Sequence, residues 1–130
     1  MTTQGLIAYI LATLFLLYEM AIQSSPSVMA APIMQELHMN AAIFGTAMGV
    51  YFYSYTLMQI PAGLLFDRLS VRLLLMLAIG LCILGNLLFA TTHEALWLGV
   101  SRVIIGMGSA FSFIAVLVIA DYWFPSRRFA

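Results

Sequence analysis

Two side chains that could carry chemistry, Glu19 and Arg102, lie inside long apolar segments of the sequence. A charged residue at the centre of a bilayer costs about 2.5–3.5 kcal/mol on insertion scales, so such residues usually mark an ion or substrate pathway. A carboxylate in these surroundings can take up a proton when an ion-pair partner moves away, because burial disfavours its charged form. Glu19 and Arg102 are therefore candidates for proton coupling. Arg102 is also a candidate for binding a carboxylate or phosphate of a substrate.

The depths of these two residues in their segments are similar. Glu19 lies about 14 residues, roughly 21 Å of helix, from the start of the first segment. Arg102 lies about seven residues, roughly 10 Å, from the start of the fourth segment, which would begin at the opposite face of the membrane. In a hydrocarbon core of about 30 Å, these depths agree to within about two helical turns. A Glu19–Arg102 ion pair is therefore geometrically feasible. The alternative is a buried pair that only fixes helix packing.

The composition indicates that the elements carrying these residues are membrane helices. Of the 130 residues, 64% are hydrophobic and 8% are charged, whereas about a quarter of the residues of an average soluble domain are charged. A helix needs about 20 mostly apolar residues to span a bilayer. The sequence predicts an all-α membrane protein with four transmembrane helices, at about residues 5–35, 41–66, 73–90 and 95–120.

The distribution of charge predicts the orientation of these helices. Basic side chains follow the second and fourth segments: Arg68, Arg72, Arg127 and Arg128. The other connections carry no arginine or lysine, only Glu36, His38, His93 and Glu94. Cytoplasmic loops are enriched in Lys and Arg. We therefore expect a cytoplasmic N-terminus in a multi-pass protein of the cell membrane, the inner membrane if the source is bacterial.

Other kinds of site are not indicated. There is no zinc-ligand spacing, phosphate loop, nucleophile motif or basic nucleic-acid patch, so we predict no enzyme activity, metal, cofactor or nucleic-acid partner. The lone Cys82 lies in an apolar run and is expected to be a buried, inert thiol. Small residues recur along the second and fourth helices, where they are expected to let helices pack closely: Gly45, Gly49, Gly99, Gly106, Gly108 and Ser109.

The connection between the second and third segments, residues 63–72, reads G-L-L-F-D-R-L-S-V-R. It resembles the cytoplasmic loop signature of the major facilitator superfamily, roughly G-x-L-x-D-R-x-G-R-R. The matching residues are Gly63, Leu65, Asp67, Arg68 and Arg72. Phe66, Ser70 and Val71 depart from the pattern, and we expect them to loosen the turn and weaken its gating contacts.

The fourth segment resembles a second signature of the same family, R-x-x-x-G-x-G-x-A. Arg102, Gly106, Gly108 and Ala110 match it. The closing D-Y-W-F-P-S-R-R is similar to the family's usual exit from helix four. The resemblance implies that Arg102 takes part in proton coupling or substrate handling.

The resemblance also implies a fold of twelve helices in two six-helix halves, with the substrate between them. The chain would be part of the N-terminal half, covering the first third of a typical member. The resemblance further implies a secondary transporter of a small solute, coupled to protons, with an organic anion as the expected substrate. The missing C-terminal helices or an oligomeric partner would be needed for transport.

Two alternatives remain open on the sequence. The first is a self-contained four-helix transporter of the small multidrug resistance type, acting as a dimer, because those proteins carry a glutamate in helix one, as Glu19 is here. The second is a four-helix membrane scaffold with no transport activity.

Overall fold

A computed structural model describes residues 2–123, all of whose regular structure is helical. The five helices are α1 (Thr3–Val28), α2 (Ala30–Glu36), α3 (Ala41–Arg68), α4 (Val71–Thr91) and α5 (Ala95–Trp123). Arg127 and Arg128, which contribute to the predicted charge asymmetry, lie outside the described residues, as does most of the closing D-Y-W-F-P-S-R-R segment.

Three of these helices, α1, α4 and α5, are long and apolar enough to cross a membrane. With 28 residues, α3 is also long enough, but its three tyrosines and its Ser and Thr residues lower its hydropathy. The predicted number of four transmembrane helices is therefore not confirmed.

The predicted first segment, residues 5–35, is divided between two helices. Pro26 lies inside α1, which continues for two residues and ends at Val28. Pro32 has no N–H group to donate to the Val28 carbonyl four residues earlier, and its ring crowds that carbonyl. The helix therefore ends at Val28, and α2 starts one residue after it at Ala30.

Side-chain caps begin α3 and α4. Asn40 accepts a hydrogen bond from the Ile43 N–H at 2.8 Å. Ser70 accepts one from the Leu73 N–H at 3.3 Å and has φ −67° and ψ 140°. A serine at this position satisfies one of the free N–H groups of the first turn. Ser70, which departs from the family signature, thus caps the start of α4, and the expected loosening of the turn stays a prediction.

The central helix is α5, which packs against α1, α3 and α4. Two glycines of α5 itself allow its close approach to α3 and α4. A Cβ atom on Gly106 would lie 2.6 Å from the Tyr51 carbonyl oxygen of α3, and one on Gly108 would lie 2.6 Å from the Cys82 Sγ of α4. These two glycines therefore have the packing role expected of small residues in membrane helices.

The other glycines predicted to pack closely lie at open positions. A Cβ atom on Gly45, Gly49 or Gly99 would meet no described atom within 4 Å, and the same holds for Gly63 of the loop signature. Within residues 2–123, no neighbouring helix approaches these positions closely, so close packing at them stays a prediction.

Candidate functional site

Glu19 faces the centre of the helix group because of its position on α1. The buried residues of α1 are Gly5, Ala12, Glu19 and Pro26. They are seven residues apart, so they lie on one face of the helix. That face packs against α5, and Glu19 is only 2% exposed.

The Glu19 carboxyl group is hydrogen-bonded by Ser109 of α5, and the Cys82 thiol of α4 is also within hydrogen-bonding reach. The Ser109 hydroxyl of α5 donates to Glu19 Oε2, and Ser109 is itself 2% exposed. The second carboxyl oxygen, Oε1, is buried and has no hydrogen-bond partner in the described part of the chain. The carboxyl group is therefore held at one oxygen and free at the other.

Arg102 is equally buried, at 2% exposed, and it packs against Tyr51 of α3. Its guanidinium carbon lies 4.8 Å from the centroid of the Tyr51 ring, a distance at which the ring face attracts a cation. Arg102 Nε is buried and has no hydrogen-bond partner among residues 2–123.

Glu19 and Arg102 are near enough for their charges to interact. No ion pair between them is found among the described residues, and each packs against another side chain, Ser109 and Tyr51 respectively. The structure therefore places both residues in one buried interface without pairing them.

Side chains of α1 and α4 complete this polar cluster. Cys82, a free and buried thiol, approaches the Glu19 carboxyl group from α4. Asn86, one turn further along α4, donates to the Cys82 carbonyl at 2.8 Å and to the Tyr18 hydroxyl at 3.3 Å. The buried site thus draws polar groups from α1, α3, α4 and α5.

Comparison with known proteins identifies the family. The sequence model of the Major Facilitator Superfamily matches residues 9–130. The chain belongs to the major facilitator superfamily. With its apolar helices, this makes it a multi-pass membrane protein. No solved structure matches the chain.

Relatives within the superfamily are named as transporters. The chain is 35% identical over 99 residues to the uncharacterized transporter YybO of Bacillus subtilis, covering 76% of this chain and 23% of that protein. It is 25% identical over 97 residues to a putative tartrate transporter of Agrobacterium vitis, covering 72% and 21%. It is 28% identical over 108 residues to the probable galactarate/D-glucarate transporter GarP of Escherichia coli K12, covering 78% and 24%. The chain thus spans under a quarter of the length of these relatives.

The loop signature of the superfamily lies apart from the buried cluster. Asp67 and Arg68 end α3, and Arg72 lies in the first turn of α4. All three are exposed, and they form no ion pair with other residues in the described range. Arg72 lines a cavity of about 610 Å³ between α1, α4 and α5, which does not include Glu19 or Arg102 among its lining residues.

Sequence reasoning found Glu19 and Arg102 but missed their contacts, Ser109 and Tyr51. Ser109 is seven residues after Arg102, so the two share a face of α5. This spacing could have drawn attention to Ser109. Tyr51, Tyr53 and Tyr55 alternate along α3 and so cannot share one face, and Tyr51 is 3% exposed while Tyr53 is 74% exposed. Which of these tyrosines contacts Arg102 depends on how α3 packs on α5, and the sequence alone does not give that packing.

Proposed function

We propose that this chain is the N-terminal part of a secondary transporter that moves a small organic anion across the membrane together with protons. The superfamily match and the transporter names of its relatives support solute transport. Two of those names specify tartrate and galactarate or D-glucarate, which are hydroxylated dicarboxylates. This chemistry suits a site that contains a buried arginine.

The observation that carries the proposal is the unpaired state of Glu19 and Arg102. Both are buried in one interface, and each has a polar atom without a hydrogen-bond partner in the described residues. A guanidinium group binds a carboxylate through parallel hydrogen bonds. In this scheme Arg102, held over Tyr51, binds the substrate carboxylate, and Glu19 binds the coupling proton.

Electrostatics couples the two events. While Glu19 is ionised, its negative charge opposes the entry of an anion beside Arg102. Once Glu19 is neutral, the charge of Arg102 is uncompensated at that site and attracts the anion more strongly. Proton binding and anion binding then favour each other, and this coupling is reciprocal. Each translocated anion would therefore carry a proton with it.

Further protein outside this chain would be needed to complete the transporter. Because the chain spans 21–24% of its relatives, we propose that further helices, or an oligomeric partner, complete the substrate site. The Asp67–Arg68 loop would be cytoplasmic, in a protein of the cell membrane with a cytoplasmic N-terminus. Membership of the superfamily does not favour the small multidrug resistance or scaffold alternatives.

The test is uptake of radiolabelled tartrate or D-glucarate by the intact protein in proteoliposomes. An inward proton gradient should drive accumulation, and collapsing the gradient with an ionophore should abolish it. Arg102→Gln should abolish uptake, while His93→Gln, a change of an exposed loop residue, should leave it normal. Uptake of lipophilic cations in place of anions, or no uptake of any solute, would contradict the proposal. A sodium gradient that replaces the proton gradient would contradict proton coupling.

A further inference from the structure

The hydroxyl group of Ser109 has one hydrogen and contacts oxygen atoms of Glu19 and Ile105, in addition to the Tyr51 hydroxyl. Its Oγ atom is hydrogen-bonded to Glu19 Oε2 on α1 and lies 2.9 Å from the Ile105 carbonyl oxygen of its own helix. A serine hydroxyl can donate one hydrogen bond and accept two. Ionised carboxylates and carbonyl groups only accept. Ser109 can therefore satisfy only one of these two oxygens while Glu19 is ionised.

We propose that Ser109 is a positioning residue whose hydroxyl hydrogen changes acceptor with the protonation state of Glu19. This inference rests on the proposed proton-binding role of Glu19. When Glu19 is ionised, Ser109 donates to Oε2. When a proton from solvent binds Oε2, Glu19 donates to the Ser109 oxygen, and the Ser109 hydrogen turns to the Ile105 carbonyl. Serine keeps its own hydrogen throughout, so the only net change is one proton gained by Glu19.

Because Glu19 and Ser109 are both buried, the hydrogen bond between them affects the balance between the ionised and neutral forms of Glu19. Glu19 and Ser109 are each 2% exposed, and Glu19 Oε1 has no partner among residues 2–123. Ser109 thus supplies the hydroxyl hydrogen bond to Oε2 of this carboxyl group. A hydrogen bond to a charged group contributes about 1.5–3 kcal/mol. Removing the Ser109 hydroxyl should therefore disfavour the ionised form more than the neutral one.

Each of α1, α3, α4 and α5 carries a titratable or charged group that interacts electrostatically with the Glu19 carboxyl group. These groups are Tyr18 on α1, Tyr51 on α3, Cys82 on α4 and Arg102 on α5. Arg102 is the one that carries a full positive charge. Tyr51 also hydrogen-bonds Ser109, so the Ser109 variants are compared in a Tyr51→Phe background as well, where a shift in the titration of Glu19 can be assigned to the bond between Ser109 and Glu19.

The same helix offers a matched control. Ser112 is 1% exposed and donates to the Ser109 carbonyl at 2.7 Å. It has the same side chain and a comparable burial, but it makes no hydrogen bond to Glu19. Ser112→Ala therefore reproduces the loss of a buried hydroxyl from α5 without removing the donor to the carboxyl group.

The experiment is infrared spectroscopy of the intact protein in liposomes, following the carboxyl C=O stretch as a function of pH. The band missing from Glu19→Gln identifies the Glu19 signal. In Ser109→Ala, the pH of half-protonation should rise by about one unit or more. In Ser112→Ala it should remain at the wild-type value. If Ser109→Ala does not fold, Ser109→Gly removes the same hydroxyl, and Ser109→Thr, which retains it, should titrate like the wild type.

An unchanged half-protonation pH in Ser109→Ala or Ser109→Gly would overturn the inference, as would an equal rise in Ser112→Ala. A Glu19 band that does not titrate at all would also overturn it. Uptake assays separate this result from the proposed function. If Ser109 shifts the titration while Glu19→Gln transports like the wild type, the exchange of acceptors stands and the coupling role of Glu19 fails.

Discussion

Arg102 of α5 lies over the aromatic face of Tyr51 of α3, with its guanidinium carbon 4.8 Å from the ring centroid. The ring attracts the cation without using its N–H groups as donors. Arg102 is thus held in a buried interface while its hydrogen-bonding capacity stays available. The proposed binding of a substrate carboxylate would use these free donors.

The Tyr51 ring should therefore determine the affinity of the anion site. Tyr51→Leu removes the aromatic face and should raise the KM for substrate uptake by about 2- to 30-fold, the range that corresponds to a cation–π contact. Tyr51→Phe keeps the ring and should have a near-normal KM. Tyr53→Leu is the control, because Tyr53 is 74% exposed. Equal effects of the Phe and Leu substitutions at position 51 would show that the ring does not act on Arg102.

Gly106 should be required for the contact that brings Tyr51 to Arg102. Because a Cβ atom there would lie 2.6 Å from the Tyr51 carbonyl oxygen, Gly106→Ala should force α3 and α5 apart. Overpacking of this kind costs about 1–3 kcal/mol, measurable as a lower thermal unfolding midpoint in detergent. Gly45→Ala is the matched control. Position 45 is open, so alanine there should be neutral or slightly stabilising. A Gly106→Ala protein as stable as the wild type would refute this packing role.

Ser70 should stabilise the start of α4. Ser70→Ala removes the cap on the Leu73 N–H and should lower the free energy of unfolding by about 1 kcal/mol. Ser70→Gly, which restores the residue usual in the family signature, should cost only a few tenths of a kcal/mol. Thermal or denaturant unfolding in detergent measures both. A larger loss for glycine than for alanine would mean that the cap does not determine the stability of this turn.

The orientation proposed from the arginine distribution can be tested with single cysteines. His93→Cys should react with a membrane-impermeant maleimide on intact cells, because the α4–α5 connection is proposed to face outward. Leu69→Cys, in the α3–α4 connection, should react only after the membrane is permeabilised. Cys82 is buried, so the wild-type protein serves as the unlabelled control. The opposite labelling pattern would reverse the orientation.

The burial of the candidate residues could be anticipated from sequence, because the cost of a charge in lipid requires Glu19 and Arg102 to face protein. The contacts that Glu19 and Arg102 make could not be anticipated in this way. The helices are apolar on most faces, so composition does not fix how each is rotated, and Ser109 and Tyr51 become partners only through packing against α5. The break at Val28 was missed for another reason. Membrane helices tolerate proline, and the sequence did not show that the bond lost at Pro32 would end the helix.

The Glu19→Gln variant tests the central claim most directly. Accumulation of labelled anion under an imposed proton gradient should be lost in this variant, because glutamine cannot take up the coupling proton. Exchange of external for internal anion should persist, because Arg102 is intact. Glu94→Gln, a change of an exposed loop acid, should accumulate the anion normally. If Glu19→Gln accumulates the anion as the wild type does, Glu19 has no part in proton coupling, and the proposed coupling mechanism of the buried site is wrong.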